Sequence, residues 1–477
     1  MAGRVLSVAS ECVPLVKTGG LADVVGALPG ALAGQGWQMR VLLPAYPGLV
    51  DRLGGAQQVW QEADLFGAPA RVLAGRVAGL DMLLLDAPHL FDRPGGPYSV
   101  DGRDHADNPE RFAALSWAAA AIARDGLADG WKPEVLHAHD WQAGLAPAYL
   151  RYHGVEGVAS VLTIHNIAFQ GLADAGLLSA LRLPGAEFHA DALEYYGNIS
   201  ALKAGLVTAD AITTVSPTYA EELMRPEFGL GLEGVIAARA ERMHGILNGV
   251  DTAVWNPETD PEVHPFGLRS LGRKAANRAA LAAEFGLEVP GPLAIVVSRL
   301  TDQKGIDLIP PVLEDFVAAG GGLAVLGSGY PQLEAAMRAA AARFPGRVGV
   351  HIGYDEALSH RMFAGADAVL VPSRFEPCGL TQMYGLRYGA LPVVAATGGL
   401  ADTVITANPA ALAAGAATGI AFHPTDALAF SQALRRLVAL HAQPKLWQSL
   451  VRTAMKQPVG WEMSSARYAA LYESLCH

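Results

Sequence analysis

Ser373-Arg374-Phe375-Glu376-Pro377-Cys378-Gly379-Leu380-Thr381-Gln382 follows the apolar run Ala368-Val369-Leu370-Val371 and leads into Met383-Tyr384-Gly385-Leu386-Arg387. The pattern reads as a buried strand, a loop and a helix, with one carboxylate at the strand's carboxyl end. Open α/β sheets bind ligands in that crevice, and the first amides of a helix attract phosphate and other anions. Glu376, together with the amides of Cys378, Gly379, Leu380 and Thr381, is therefore the first candidate site.

Outward from this stretch the pattern repeats. Leu293–Val297, Leu323–Leu326, Val348–Ile352, Val393–Ala395 and Ile420–Phe422 are short apolar runs separated by helical stretches. Val5–Val8, Arg40–Leu43, Met82–Leu85, Val135–Ala138, Ser160–Ile164 and Ala211–Val215 do the same in the first half. Near-continuous rather than alternating hydrophobicity points to parallel sheets covered on both faces. The economical architecture is α/β: two doubly wound, Rossmann-like domains, 1–246 and 247–459. The joint falls near Leu247-Asn248-Gly249-Val250-Asp251, and residues 460–477 form a closing amphipathic helix whose domain partner the pattern leaves open.

At 477 residues the chain is too long for one ordinary core. With 51% hydrophobic and 17% charged residues it folds, and a net charge of −11 argues against nucleic acid as a partner. An anionic substrate must then be met by a local positive pocket. Cys12, Cys378 and Cys476 make neither a disulfide framework nor a metal spacing, and a reducing compartment fits best. No leader peptide is read at the start, and the uncharged stretch from Asn408 to Phe422 is too polar to span a membrane. The expectation is a cytoplasmic protein without a membrane partner.

Five more loops fall at strand ends. Lys17-Thr18-Gly19-Gly20-Leu21-Ala22-Asp23 opens a helix; its glycines let a ligand approach the backbone, and Lys17 supplies a point charge for phosphate. Ser298-Arg299-Leu300-Thr301-Asp302-Gln303-Lys304-Gly305 carries two cations that can reach one diphosphate and stabilise it as it departs. His137-Ala138-His139-Asp140-Trp141 and Thr163-Ile164-His165-Asn166 could suggest zinc. They lack a third and fourth ligand at a usual spacing, so hydrogen bonding to sugar hydroxyls suits them better than metal. Gly327-Ser328-Gly329 has Gln332 where a dinucleotide fingerprint needs glycine, and is discounted. Two sheets with phosphate-seeking loops imply domains facing across a cleft whose closure excludes water.

These motifs resemble those of the bacterial glycogen synthases and the related plant starch synthases, along essentially the whole chain. Lys17–Asp23 looks like the family's donor loop, and Ser373–Thr381 and Thr397-Gly398-Gly399-Leu400-Ala401-Asp402-Thr403-Val404 look like its carboxyl-terminal signatures. Leu202–Leu206, Leu247–Asp251 and Arg299–Gly305 are also similar. The resemblance implies a GT-B fold with the last helix returning to the first domain. It implies retaining transfer of glucose from ADP-glucose to the non-reducing 4-OH of an α-1,4-glucan such as glycogen, with no metal or other cofactor. By position, Lys17, Gly20, Arg299 and Lys304 would hold the diphosphate, with Thr381 near it and Tyr354 beside the base. His165, Asn248, Glu376, Cys378, Gly379 and Leu380 would contact the glucose, and Asp140 would lie toward the acceptor. Phe91 and Tyr98, in a loop region matched to the glucan side, suit stacking on sugar rings.

A covalent route to retention would use Glu376 as nucleophile. The neighbouring amides favour an orienting role for it, with the leaving phosphate taking the acceptor's proton. Two rivals remain: a UDP-glucose transferase of the sucrose or trehalose type acting on a small acceptor, and a catalytically silent binding protein.

Overall fold

A computed structural model describes residues 3–476, and the chain divides into two compact units. The first runs to Val215 and adds Ala220–Leu247 and the chain from Trp461 onward; the second holds Ser216–Tyr219 and Asn248–Gly460.

The first unit is built on strands β1 (Gly3–Val8), β2 (Trp37–Pro44), β3 (Gly54–Glu62), β4 (Ala70–Val77), β5 (Leu80–Asp86), β6 (Val135–His139), β7 (Ala159–Ile164), β8 (Ala211–Thr214) and β9 (Met243–Gly245). They form one sheet in the order β9-β8-β7-β6-β1-β2-β5-β4-β3. All pairs are parallel except β5–β4 and β4–β3. The second unit carries β10 (Leu293–Val297), β11 (Gly322–Gly327), β12 (Val348–Ile352), β13 (Ala368–Val371), β14 (Leu391–Ala395) and β15 (Ile420–Phe422), all parallel, in the order β12-β11-β10-β13-β14-β15. Counting parallel strands alone, the second sheet follows 3-2-1-4-5-6 and the first 3-2-1-4-5-6-7, the same doubly wound Rossmann order with one strand added at the edge.

That order fixes where ligands can sit. The direction of winding reverses between the first and fourth parallel strands, so the loops leaving their carboxyl ends diverge and open a crevice. In the first unit these strands are β1 and β6; in the second they are β10 and β13. The strands hold this geometry because they are apolar throughout: all four residues of β13 and all five of β14 are buried.

The closing helix, α4 (Glu462–Leu475), belongs to the first unit; three further helices, α1 (Gly20–Ala33), α2 (Thr381–Tyr388) and α3 (Gly398–Thr403), start beside candidate loops. Tyr468, Leu471 and Tyr472 of α4, with Trp461, share a core with Val5, Leu28, Trp37 and Val135. The edge hairpin β3–β4 was not read from the sequence. Most of β3 is exposed and contains Gln57, Gln58 and Gln61, so it carries no apolar run to betray it. Phe91 is a correction. It is 1% exposed and packs against Tyr46 and Phe112 inside the first unit, so no sugar ring can stack on it. Among the described residues no helix is long and apolar enough to cross a membrane.

Candidate active site

In the second unit the loops after β10 and β13 meet over the switch point. Lys304 Nζ lies 2.5 Å from Glu376 Oε2, and Ser373 Oγ donates to the same oxygen at 2.9 Å. Both bonds fall on Oε2, so the carboxylate is held in one orientation with its charge balanced by a cation. Gly305, which follows Lys304, has φ +66°, and a Cβ there would lie 2.0 Å from the Pro372 carbonyl oxygen. Glycine is what lets the Lys304 loop press against the Glu376 loop. Arg299 is exposed at the end of β10, and its guanidinium has no hydrogen-bond partner among the described residues.

Around Glu376 lie groups suited to a polyhydroxylated ligand. Asn248 is buried, and its Oδ1 has no hydrogen-bond partner. A buried acceptor left open in this way is costly unless a ligand donor reaches it. Cys378 is buried beside Asn248, and burial pushes its thiol up to about 12, which keeps it protonated and a poor nucleophile. Thr381 begins α2 half-buried, whereas Tyr354 is 79% exposed just beyond β12, its hydroxyl donating to Glu356 at 2.8 Å.

In the first unit the loop after β1 is shaped by a residue that sequence reasoning gave no role. Glu11 is 3% exposed and accepts hydrogen bonds from the Thr18 and Gly19 amides, from Thr18 Oγ1 at 2.6 Å and from Tyr98 Oη at 2.5 Å. The Gly19 amide, one of the two glycine amides expected to face a ligand, is thus occupied. The signal was present: a lone carboxylate breaking an apolar strand end must find donors when buried. Tyr98 is anchored by its hydroxyl on Glu11, with its ring half-buried. Lys17 is exposed and pairs with Asp23 at 2.8 Å.

The sequence Thr-Gly-Gly-Leu-Ala-Asp occurs twice, at 18–23 and 397–402, opening α1 and α3. The two copies need their glycines for different reasons. A Cβ on Gly398 or Gly399 would lie 2.1 Å from the Glu376 carbonyl oxygen or 2.2 Å from that of Cys378. A Cβ on Gly19 or Gly20 would meet nothing within 4 Å, and neither has a positive φ. The fold itself therefore tolerates a side chain at Gly20, and only a closely approaching ligand would not. Gly20→Ala is expected to leave Tm within about 2 °C of wild type while lowering kcat/KM about 10²-fold. Equal activity in the two proteins would show that nothing approaches Gly20.

The histidines separate into different roles. His137 is a core residue, bonded to Tyr472 Oη at 2.7 Å and Thr163 Oγ1 at 2.6 Å, which corrects the expectation that it faces sugar. Ser7 Oγ, His139 and His165 form a chain with contacts of 3.1 and 3.0 Å. Burial holds His165 down at about 3, so it is a neutral imidazole and not a cation near neutral pH. Among the described residues no group of three or more His, Cys, Asp or Glu could hold a metal ion.

Asp140 ties the ends of β6 and β7 together, its Oδ1 accepting from the His165 amide at 2.7 Å and the Asn166 amide at 3.4 Å, with its own φ at +54°. Burial raises it from 3.8 to about 7, against the downward pull of those amides and with Glu11 adding to the rise. Its folded-state pKa thus lies above the unfolded one. The folded state retains a proton that the unfolded state loses, so a stability penalty grows as pH rises from about 4 to about 7 and is constant above. Asp140→Asn keeps the acceptor and removes the charge. Its Tm is expected to exceed that of wild type at pH 8, the gap closing toward pH 4. A gap independent of pH would refute the assignment.

Each unit carries cations or polar groups at a Rossmann switch point, and the family matches make the chain a GT-B glycosyltransferase. Residues 4–238 match the starch synthase catalytic domain family, and residues 277–455 match glycosyl transferases group 1. The chain is 70% identical over 473 residues to a glycogen synthase of Cereibacter sphaeroides, covering 99% of this chain and 98% of that one. It is 61% identical to the glycogen synthase of Paracoccus denitrificans, with 99% of each covered. Among solved structures, the catalytic domain of starch synthase IV from Arabidopsis thaliana, bound to ADP and acarbose, aligns with a TM-score of 0.88 and 31% identity over all of both chains. A sucrose-phosphate synthase from Thermosynechococcus elongatus aligns at 0.61 and 19% identity over 99% of each, a likeness of fold alone. The chain belongs to the glycogen and starch synthase family, and its activity is glycosyl transfer in glycogen synthesis.

Proposed function

We propose that the donor is ADP-glucose, that the acceptor is the non-reducing 4-OH of an α-1,4-glucan, and that transfer retains the α configuration without a metal ion. The observation that carries this reading is the Glu376 carboxylate, fixed by Lys304 and Ser373, with Cys378 between it and Asn248, whose Oδ1 is open. A carboxylate and an open acceptor take sugar hydroxyl protons, while Arg299 and Lys304 supply positive charge for the departing diphosphate. Thr381, at the start of α2, suits a phosphate oxygen, and exposed Tyr354 suits the flat face of a base. In the first unit, Lys17 and the Gly20 amide suit phosphate, neutral His165 suits a sugar hydroxyl, and Asp140 belongs to the acceptor side. The ADP and acarbose bound by the starch synthase structure support the choice of nucleotide and of glucan.

Glu376 orients the sugar instead of attacking it. Its Oε2 is committed to an ammonium at 2.5 Å and a hydroxyl, which fixes the direction of Oε1 and leaves that oxygen to take a sugar hydroxyl proton. The acceptor proton then passes to the leaving phosphate oxygen on the same face of the sugar. The reaction is cytoplasmic, consistent with three free cysteines. Proton NMR of maltooligosaccharide extended in the presence of EDTA tests the reading: a growing α-1,4 anomeric signal is expected, and a β signal or a requirement for added metal would overturn it.

A further inference from the structure

We propose that Gln382 is a positioning residue: it turns the amides of the Cys378–Leu380 loop toward the donor's sugar. This rests on the donor reading above.

The argument begins with the carbonyls. Gln382 is fully buried on α2, and its Nε2 donates to the Cys378 carbonyl at 3.0 Å and the Gly379 carbonyl at 2.8 Å. The Gly399 amide approaches the two preceding carbonyls, Glu376 and Pro377, each at 3.1 Å. Four successive carbonyls, 376 to 379, are thus tied to donors on the fold side of the loop. In a trans peptide the N–H points opposite to its C=O. The N–H groups of Cys378, Gly379 and Leu380, which share peptides with three of those carbonyls, must therefore face away from the fold. None of the three has an acceptor among the described residues.

Three observations mark this as a built arrangement. Gly379 has φ +72°, and a Cβ there would lie 2.5 Å from Gln382 Oε1, so the loop can close on the glutamine only with glycine. Gln382 Nε2 also reaches Thr403 Oγ1 at 3.1 Å, and that hydroxyl in turn donates to the Gly399 carbonyl, which joins the two clamps into one network. The amide's orientation is forced, because its oxygen would repel two carbonyls where its nitrogen now sits.

The outward amides lie next to the Glu376 carboxylate. An ionised phosphate can only accept, whereas a sugar hydroxyl can accept from an amide and donate to the carboxylate. The array therefore selects the glucosyl part of the donor over its nucleotide part.

Calorimetric titration of ADP-glucose and of ADP into the same protein tests this. In Gln382→Met two buried carbonyls lose their donor and the loop loses its fixed orientation. ADP-glucose affinity is expected to fall about 30-fold or more, ADP affinity less than about threefold, and the KM for glycogen to stay unchanged. Equal losses for both ligands, or none for either, would overturn the proposal. Should Gln382→Met not fold, Gln382→Glu serves. Its carboxylate repels the carbonyls at pH 8, and a proton at pH 5 restores one donor. Affinity for ADP-glucose relative to wild type is expected to recover on acidification, and a constant ratio would overturn the proposal. Failure of wild type to bind ADP-glucose would instead refute the donor assignment itself.

Discussion

Glu376→Ala is expected to lower kcat about 10³-fold while changing ADP affinity less than about threefold. The carboxylate is 7% exposed, anchored through Oε2 and adjacent to groups that suit a sugar, so its loss falls on the sugar's placement and not on the nucleotide. A small error in the position of a reacting centre is enough for a loss of this size. Steady-state transfer rates together with ADP titration make the check. Comparable losses in kcat and in ADP affinity would mean that Glu376 serves the whole site as scaffold.

Lys304→Ala is expected to cost about 10² to 10³ in kcat/KM, the scale of removing one preorganised donor to a developing charge. Part of that cost comes from Glu376, left as a buried carboxylate without its cation. The two residues are therefore coupled. The double variant Lys304→Ala/Glu376→Ala is expected to be far more active than the product of the two single losses would give. Multiplicative losses would show that the 2.5 Å contact does not matter to the reaction.

The parallel strands were legible because each is apolar along its whole length, as in Ala368–Val371, and that pattern has few other uses. The candidate loops were legible for a related reason. Residues that follow the first and fourth parallel strands fall at the switch point whatever their identity, so Arg299, Lys304 and Glu376 could be placed before any contact was known. Orientation was not legible. Whether the Gly19 amide faces a ligand or Glu11, or whether His137 faces sugar or Tyr472, depends on partners distant in sequence. The repeated Thr-Gly-Gly-Leu-Ala-Asp shows the same limit. One copy is glycine-rich to fit backbone beneath Glu376, the other has open space around its glycines, and identical letters cannot tell these apart. Phe91 was misread because an aromatic residue in a polar loop segment can still turn inward to a core.

The central claim is that this enzyme moves glucose from ADP-glucose onto glucan. Incorporation of labelled glucose into precipitable glycogen, comparing ADP-glucose with UDP-glucose in the presence of EDTA, tests it most directly. Strong incorporation from ADP-glucose and little from UDP-glucose is the expected result. Incorporation from UDP-glucose alone, or from neither donor by a protein that binds both, would contradict it.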